Sequence, residues 1–181
     1  TRKKIARTLS YSLNEEQIRA LIKRTLKDMG GKFNSLKAEN LIFGTGLAES
    51  KYHYISQVPS NIAKGFFQIE PPTAVDNIDN WLRYRPKMLP RLVGASYVSE
   101  EFWVPPESPA QKSALLVSWS EILESNIRAG IVHARLLYWR SPEPLPKLMH
   151  GMAKYWVRYY NRGGAATPEK WYEAWGKRAL V

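Results

Sequence analysis

One acidic residue, Glu49, closes the largely apolar stretch LIFGTGLAES at 41–50, and GFFQIEPP follows at 65–72. A carboxyl group at a helix terminus in apolar surroundings loses solvation of its ionised form, so its pKa rises. An acid that must protonate a leaving glycosidic oxygen needs that tuning. Phe43, Tyr52, Tyr54, Phe66 and Phe67 surround the position in sequence and could supply both a low-dielectric wall and a surface for sugar rings. The competing reading is a solvated glutamate in the last turn of a helix. Glu49 taken alone does not separate the two.

Other chemistries find less support. The chain has no cysteine, which excludes disulfides, thiolate metal sites and a thiol nucleophile. His53, His133 and His150 lack H-E-x-x-H spacing, so no metal is expected. The Gly44-Thr45-Gly46 and Gly163-Gly164 runs lack the Lys-Ser/Thr ending of a phosphate loop. Ser50, Ser56 and Ser60 sit in no G-x-S-x-G elbow. No cofactor is expected.

The elements that must position Glu49 read as helices. Ser12-Leu13-Asn14-Glu15 fits an S-x-x-E capping box. Ile18, Leu21, Ile22, Leu26 and Met29 then recur at helical spacing until Gly30-Gly31. A second helix starts near Ser35 and carries Leu36, Leu41, Ile42 and Leu47. Residues 51–64 show no sustained period and read as a loop or short hairpin. Pro71-Pro72 suits the first turn of a helix carrying Ala74, Val75, Ile78 and Leu82. Helical patterns return over 109–123, 125–140 and 145–161, and a last helix starts after Thr167 with Pro168 at its first position. Among the tryptophans, Trp81, Trp119 and Trp139 fall within helical patterns and read as packing. The turn-rich stretch SEEFWVPPESPA at 99–110 covers or borders something, with Phe102 and Trp103 as sugar contacts. The expectation is one mostly α domain over 1–181, with a small irregular or β element after Glu49. Its basic N-terminal helical region, 1–34, would pack on a core spanning 35–178.

At 181 residues the chain can bury one real core. No window approaches eighteen uninterrupted apolar residues, so no membrane insertion is expected. The start, TRKKIARTLSYSLNEEQ, is basic but lacks the apolar region of a secretory signal. A net charge of +11 favours encounter with anionic polymers, among them nucleic acid, anionic membrane and bacterial cell wall. The basic residues are scattered, from Arg2, Lys3 and Lys4 through Arg19, Lys23, Arg24 and Lys27 to Arg83, Arg85, Lys87 and Arg91. Nucleic-acid binding calls for a concentrated stripe and is not expected.

Four segments in order carry a resemblance. They are AES at 48–50, GFFQIEPPTA at 65–74, SNIRAGIVHARLLYW at 125–139 and YYNRGG at 159–164, with Trp171 and Trp175 beyond them. Each is short, but their order across 48–175 makes the signal specific. Together they resemble the lysozyme-like superfamily, in its soluble lytic transglycosylase and goose-type lysozyme branch. The resemblance implies an α+β lysozyme-like fold, two lobes of helices around a substrate cleft. It also implies cleavage of the β-1,4 bond between N-acetylmuramic acid and N-acetylglucosamine in peptidoglycan.

The resemblance implies roles residue by residue. Glu49 would be the general acid and then the base. Ser50 would help near the cleaved bond, by a hydrogen bond or by shaping the turn. Gly65 would let the backbone approach the sugar, and Phe67 and Gln68 would contact substrate from the cleft wall. Tyr160 would bring its phenol near Glu49, and Asn161 would hold that loop or touch substrate. Asn126 reads as a helix cap. The chain departs from the family pattern at Phe66-Phe67, at Arg162 where a small residue is common, and at Glu70 where an apolar one is. Glu70 is thus a candidate second carboxylate, which a hydrolase needs and a transglycosylase does not. Lytic transglycosylation is the expectation; a hydrolytic lysozyme and a non-catalytic wall-binding module are the alternatives. The size and charge fit a phage lysis enzyme or virion-associated enzyme. It would be made in the host cytoplasm, act as a monomer on glycan strands, and reach the wall with the help of another component.

Overall fold

The computed structural model describes residues 13–181, and among them lie eight α-helices. The first, α1 (Glu15–Met29), begins two residues later than the S-x-x-E pattern suggests. Asn14 is its cap, its side chain accepting a hydrogen bond from the Gln17 backbone N–H at 3.1 Å. Asn and Ser cap equally well, so composition alone did not fix the start. Ser12, Arg2, Lys3 and Lys4 lie outside the described residues. Gly30, at φ 77°, ends the helix as expected. Ile18, Ile22, Leu26 and Met29 turn inward, and α1 packs against α2 (Leu36–Ser50), α4 (Leu89–Ser96) and α6 (Ile127–Trp139). Burying each such side chain contributes about 1.5–3 kcal/mol. The described part of the N-terminal region therefore shares the central core.

Helix α2 is the axis of the molecule. Every residue from Asn40 to Leu47 is buried, the pattern of a helix surrounded on all sides. Two glycines make that possible. A Cβ on Gly44 would lie 2.4 Å from the Trp171 ring and 2.5 Å from that of Trp175, and one on Gly46 would lie 2.2 Å from the Tyr52 ring. Gly44-Thr45-Gly46 is thus a packing notch for three aromatic rings. Trp171 and Trp175 belong to α8 (Pro168–Trp175), which Thr167 caps through a 3.4 Å bond to the Lys170 N–H.

Between α2 and α3 (Pro71–Asp79) the chain is irregular, held by two isolated antiparallel bridges, Ser56 with Lys64 and Lys64 with Ile69. Lys64 is buried, and its ammonium donates to Asn61 Oδ1 at 2.6 Å and to Glu124 Oε1 at 2.7 Å. Ser56 Oγ donates to the same Glu124 oxygen. This ion pair ties the segment to the end of α5 (Pro109–Ser125).

Helix α3 opens on Pro71-Pro72 and stops at Asp79, so Leu82 falls in a separate 3₁₀ turn, Leu82–Tyr84. Helix α4 was not read from the sequence, because Pro86 and Pro90 interrupt any period; Pro90 is accommodated in the first turn. Helices α5 and α6 flank Asn126, and α7 (Met149–Tyr155) runs into a π turn, Trp156–Tyr160. In the 99–110 stretch Phe102 and Trp103 turn inward, whereas Val104 is exposed. Trp103 is fully buried against Trp119 and His133, so it is no sugar contact, and Phe102 packs half-buried on the same core. Trp81 and Trp119 are buried as expected, whereas Trp139, at the end of α6, is 36% exposed. The described residues form one mostly helical, compact domain.

Candidate functional site

Glu49 sits in the last turn of α2, half-buried at the edge of a cleft of about 1080 Å³. Its Oε1 accepts a hydrogen bond from Trp156 Nε1 at 2.8 Å and another from Asn161 Nδ2 at 3.2 Å. Burial raises its carboxyl pKa to about 7, against a smaller downward pull from those two bonds. Its place at a helix C-terminus, where backbone carbonyls concentrate partial negative charge, acts in the same direction as burial. With two N–H donors occupying Oε1, the proton of the neutral form sits on Oε2.

The π turn arranges those donors. On a regular α-helix, residues five apart point about 140° away from each other. Here the Asn161 N–H reaches the Trp156 carbonyl at 3.0 Å, closing an i→i+5 turn that brings both side chains to one carboxylate oxygen. Gly164 completes the arrangement: a Cβ there would lie 1.9 Å from Asn161 Oδ1. Sequence reasoning found Asn161 and missed Trp156, which in sequence is one more aromatic residue of an amphipathic pattern.

The other expected site residues divide into two groups. Gln68 and Glu70 line the cleft beside Glu49, Tyr160 and Asn161. Gln68 has φ 49°, and its Nε2 donates to the Gly65 carbonyl at 2.8 Å; its Oε1 has no partner among the described residues. Glu70 is exposed at the N-terminus of α3. Tyr160 donates its phenol proton to the Phe67 carbonyl at 2.6 Å; burial first, then the charge of Glu49, holds its pKa well above the usual range. It braces the cleft wall against the Phe67 backbone.

Ser50, Gly65 and Phe67, expected at the substrate, lie behind the cleft instead. Ser50 is buried; its hydroxyl donates to the Phe66 carbonyl at 2.7 Å and accepts from the Tyr52 N–H at 3.1 Å. Of the two readings of Ser50, this geometry fits the shaping of the turn. Gly65, at φ 69°, faces the Leu123 carbonyl oxygen, which a Cβ would approach to 2.4 Å; its close approach is to protein backbone. Phe67 is 1% exposed, and its ring fills the space left by Gly130 of α6, where a Cβ would lie 2.9 Å away. Two of the sequence segments meet at that contact. Asn126 caps α6, accepting from the Ala129 N–H at 2.9 Å, and donates to the Ser96 carbonyl.

The cleft also holds Arg140, which carries no sequence signal, together with Asp76 and Arg162. Arg140 donates to Asp76 Oδ2 at 2.7 Å and to Asn77 Oδ1 at 2.9 Å. Burial pulls the Asp76 pKa up, but bonds from Asn80 and Arg140 outweigh it, and the net shift is down. Asp76 therefore stays ionised beside its guanidinium partner. Arg162 is exposed at the cleft rim with Gly163 and Gly164. Among the described residues no cluster of His, Asp or Glu could hold a metal ion. None of their helices is long and apolar enough to cross a membrane.

The arrangement can deliver one proton from Glu49 Oε2, with Oε1 held in place, into a polar cleft and take one back. No protein-family model matches the chain, and neither a curated protein nor a solved structure matches it.

Proposed function

We propose that the protein cleaves the β-1,4 glycosidic bond of peptidoglycan, with Glu49 as general acid and then base, by lytic transglycosylation. The observation that carries the reading is Glu49 itself: a carboxyl raised to about 7 at a cleft, one oxygen fixed by Trp156 and Asn161. Near neutral pH a large fraction is protonated, which a general acid requires. The Oε2 proton passes to the glycosidic oxygen as the bond to the muramic C1 breaks. The carboxylate so formed takes the proton of the muramic C6 hydroxyl as that oxygen bonds to C1, closing a 1,6-anhydro ring. The two N–H donors on Oε1 support the ionised state between the steps. Only one carboxyl group is needed, and Asp76, another acid of the cleft, is held by Arg140. The resemblance to the lysozyme-like superfamily and the net charge of +11, suited to an anionic wall, support the same reading. That the chain is a phage lysis or virion enzyme belongs to the same proposal.

A hydrolytic lysozyme is the second reading, favoured by the presence of Glu70 in the same cleft. It would need Glu70 about 6.5–9.5 Å from Glu49 to activate water with inversion. Digestion of purified peptidoglycan by the wild type and by Glu49→Gln, with mass spectrometry of the released fragments, tests both. Products lighter by about 18 Da, one water, than reducing muropeptides indicate 1,6-anhydro ends and transglycosylation. Reducing ends that disappear in Glu70→Gln indicate the lysozyme. No release by the wild type, with the wall still bound, leaves a binding module.

A further inference from the structure

A second cavity of about 480 Å³ lies on the far side of the α6 terminus, lined by Phe33, Trp81, Tyr84, Arg85, Lys87 and Trp139 among others. Four aromatic side chains line it, yet two of them face solvent: Tyr84 is 71% and Trp139 36% exposed. An exposed indole is held here in a fixed attitude. Phe33 packs on it with ring centroids 4.3 Å apart, and the buried Arg135 guanidinium lies 5.3 Å from its centre. Arg135 is itself anchored by donating to the Phe33 carbonyl at 2.9 Å. A rigid aromatic face costs little further ordering when it binds a partner.

The rim chemistry narrows the partner. Arg85 and Lys87 stand at the edge, and among the described residues no carboxylate lines the cavity. Flat apolar faces flanked by cationic donors suit a saccharide ring with hydroxyl or carboxylate substituents. Trp139 is also the immediate neighbour in sequence of Arg140, which lines the Glu49 cleft, so one helix end borders both cavities.

We propose that this groove is a second, non-catalytic glycan-binding site, which holds carboxylate-bearing wall polysaccharide outside the cleft on Trp139 and Tyr84. The proposal rests on the peptidoglycan reading of the Glu49 cleft. It explains why a helix ends on an exposed, braced tryptophan, and it gives the excess positive charge a local use. The site anchors the protein on an insoluble polymer while the cleft samples bonds.

The test is binding of the full chain to purified insoluble peptidoglycan in the Glu49→Gln background, with Trp139→Ala and Tyr84→Ala added separately. Circular dichroism and thermal melting establish that each variant is folded; Tyr84, being largely exposed, is the safer of the two. The expected result is a loss of affinity of about tenfold for each substitution, with a further loss in Lys87→Glu. Unchanged binding in both aromatic variants overturns the proposal and leaves the cleavage reading standing, since anhydro products from the wild type establish that independently. If the wild type neither binds the polymer nor releases fragments, both fall. Binding to anionic lipid vesicles that depends on Trp139 and Tyr84, with none to the polymer, also overturns the saccharide assignment.

Discussion

Glu49 and His133 are both titratable groups displaced from their ordinary pKa by burial, and they are displaced in opposite directions. Burial raises the Glu49 carboxyl to about 7 and depresses the His133 imidazole to about 3, because in each case it penalises the charged form. What differs is access. His133 is walled in by Trp103, stacked at 4.9 Å, and by Trp119, edge-on at 4.5 Å. Arg140 can only donate, so Asn77 turns its Oδ1 toward Arg140 and its Nδ2 toward His133 Nδ1, 3.0 Å away. The imidazole proton is thereby fixed on Nε2, which has no partner among the described residues. His133 is a neutral wedge between tryptophans. Glu49 has one oxygen bound and one without a partner among the described residues, and it faces a cleft. A shifted pKa records burial; a shifted pKa at an open cavity supports chemistry.

Replacement separates the two most sharply. Glu49→Gln should lower glycan cleavage by about 10²–10⁴-fold, since glutamine keeps the shape and cannot deliver the proton. His133→Gln should leave turnover within about twofold; a comparable loss there would mean that the interior network reaches the reaction and would break the contrast. Next in size, Trp103→Ala should cost about 3–5 kcal/mol by urea unfolding. It should also return the imidazole toward 6.5 by NMR titration. An imidazole still near 3 would show that Trp103 is not the seal.

Trp156→Phe sharpens the Glu49 side. The indole N–H favours the ionised carboxylate and holds the pKa down. Without it the pKa rises above about 7, and the alkaline limb of the pH–rate profile moves to higher pH. The rate should fall about tenfold, as expected for one hydrogen bond to a charged group. An alkaline limb that stays in place would remove Trp156 from the site.

The smallest effect lies in the pH dependence of stability, where the two groups have opposite signs. A carboxyl with a raised folded pKa binds more protons folded than unfolded, so its contribution declines as pH rises from 4.5 to about 7. Glu49→Gln removes that decline, and its melting temperature should overtake the wild type by ~2–5 °C above pH 7. An imidazole with a depressed folded pKa contributes stability that is lost as pH falls from 6.5 toward about 3. His133→Gln should therefore flatten the acid limb and leave the neutral limb alone. Parallel curves for the two variants would refute the opposition.

Much of the helical framework was legible because its signals are local. Gly30 stops α1, Thr167 with Pro168 starts α8, and Asn126 breaks α5 from α6, each through its own backbone preference. Glu49 was legible as a lone acid at the end of an apolar run. Ser50, Gly65 and Phe67 are expected at the cleft and lie behind its wall, because a small or aromatic residue near an acid reads alike whether it faces a cleft or a neighbouring helix.

The sequence by itself determined a mostly helical chain, several of its caps and breaks, and a candidate proton donor, since helical period, capping and the end of an apolar run are properties of neighbouring residues. Only tertiary structure decided which groups share a wall. Trp156 meets Glu49 across 107 positions, through a π turn that no periodicity announces. Phe67 fits Gly130, Gly65 fits Leu123, and Gly44 admits two tryptophans of α8. Those contacts depend on volume and direction in space, and burial, which sets the Glu49 proton near neutrality, exists only once the helices have closed around it.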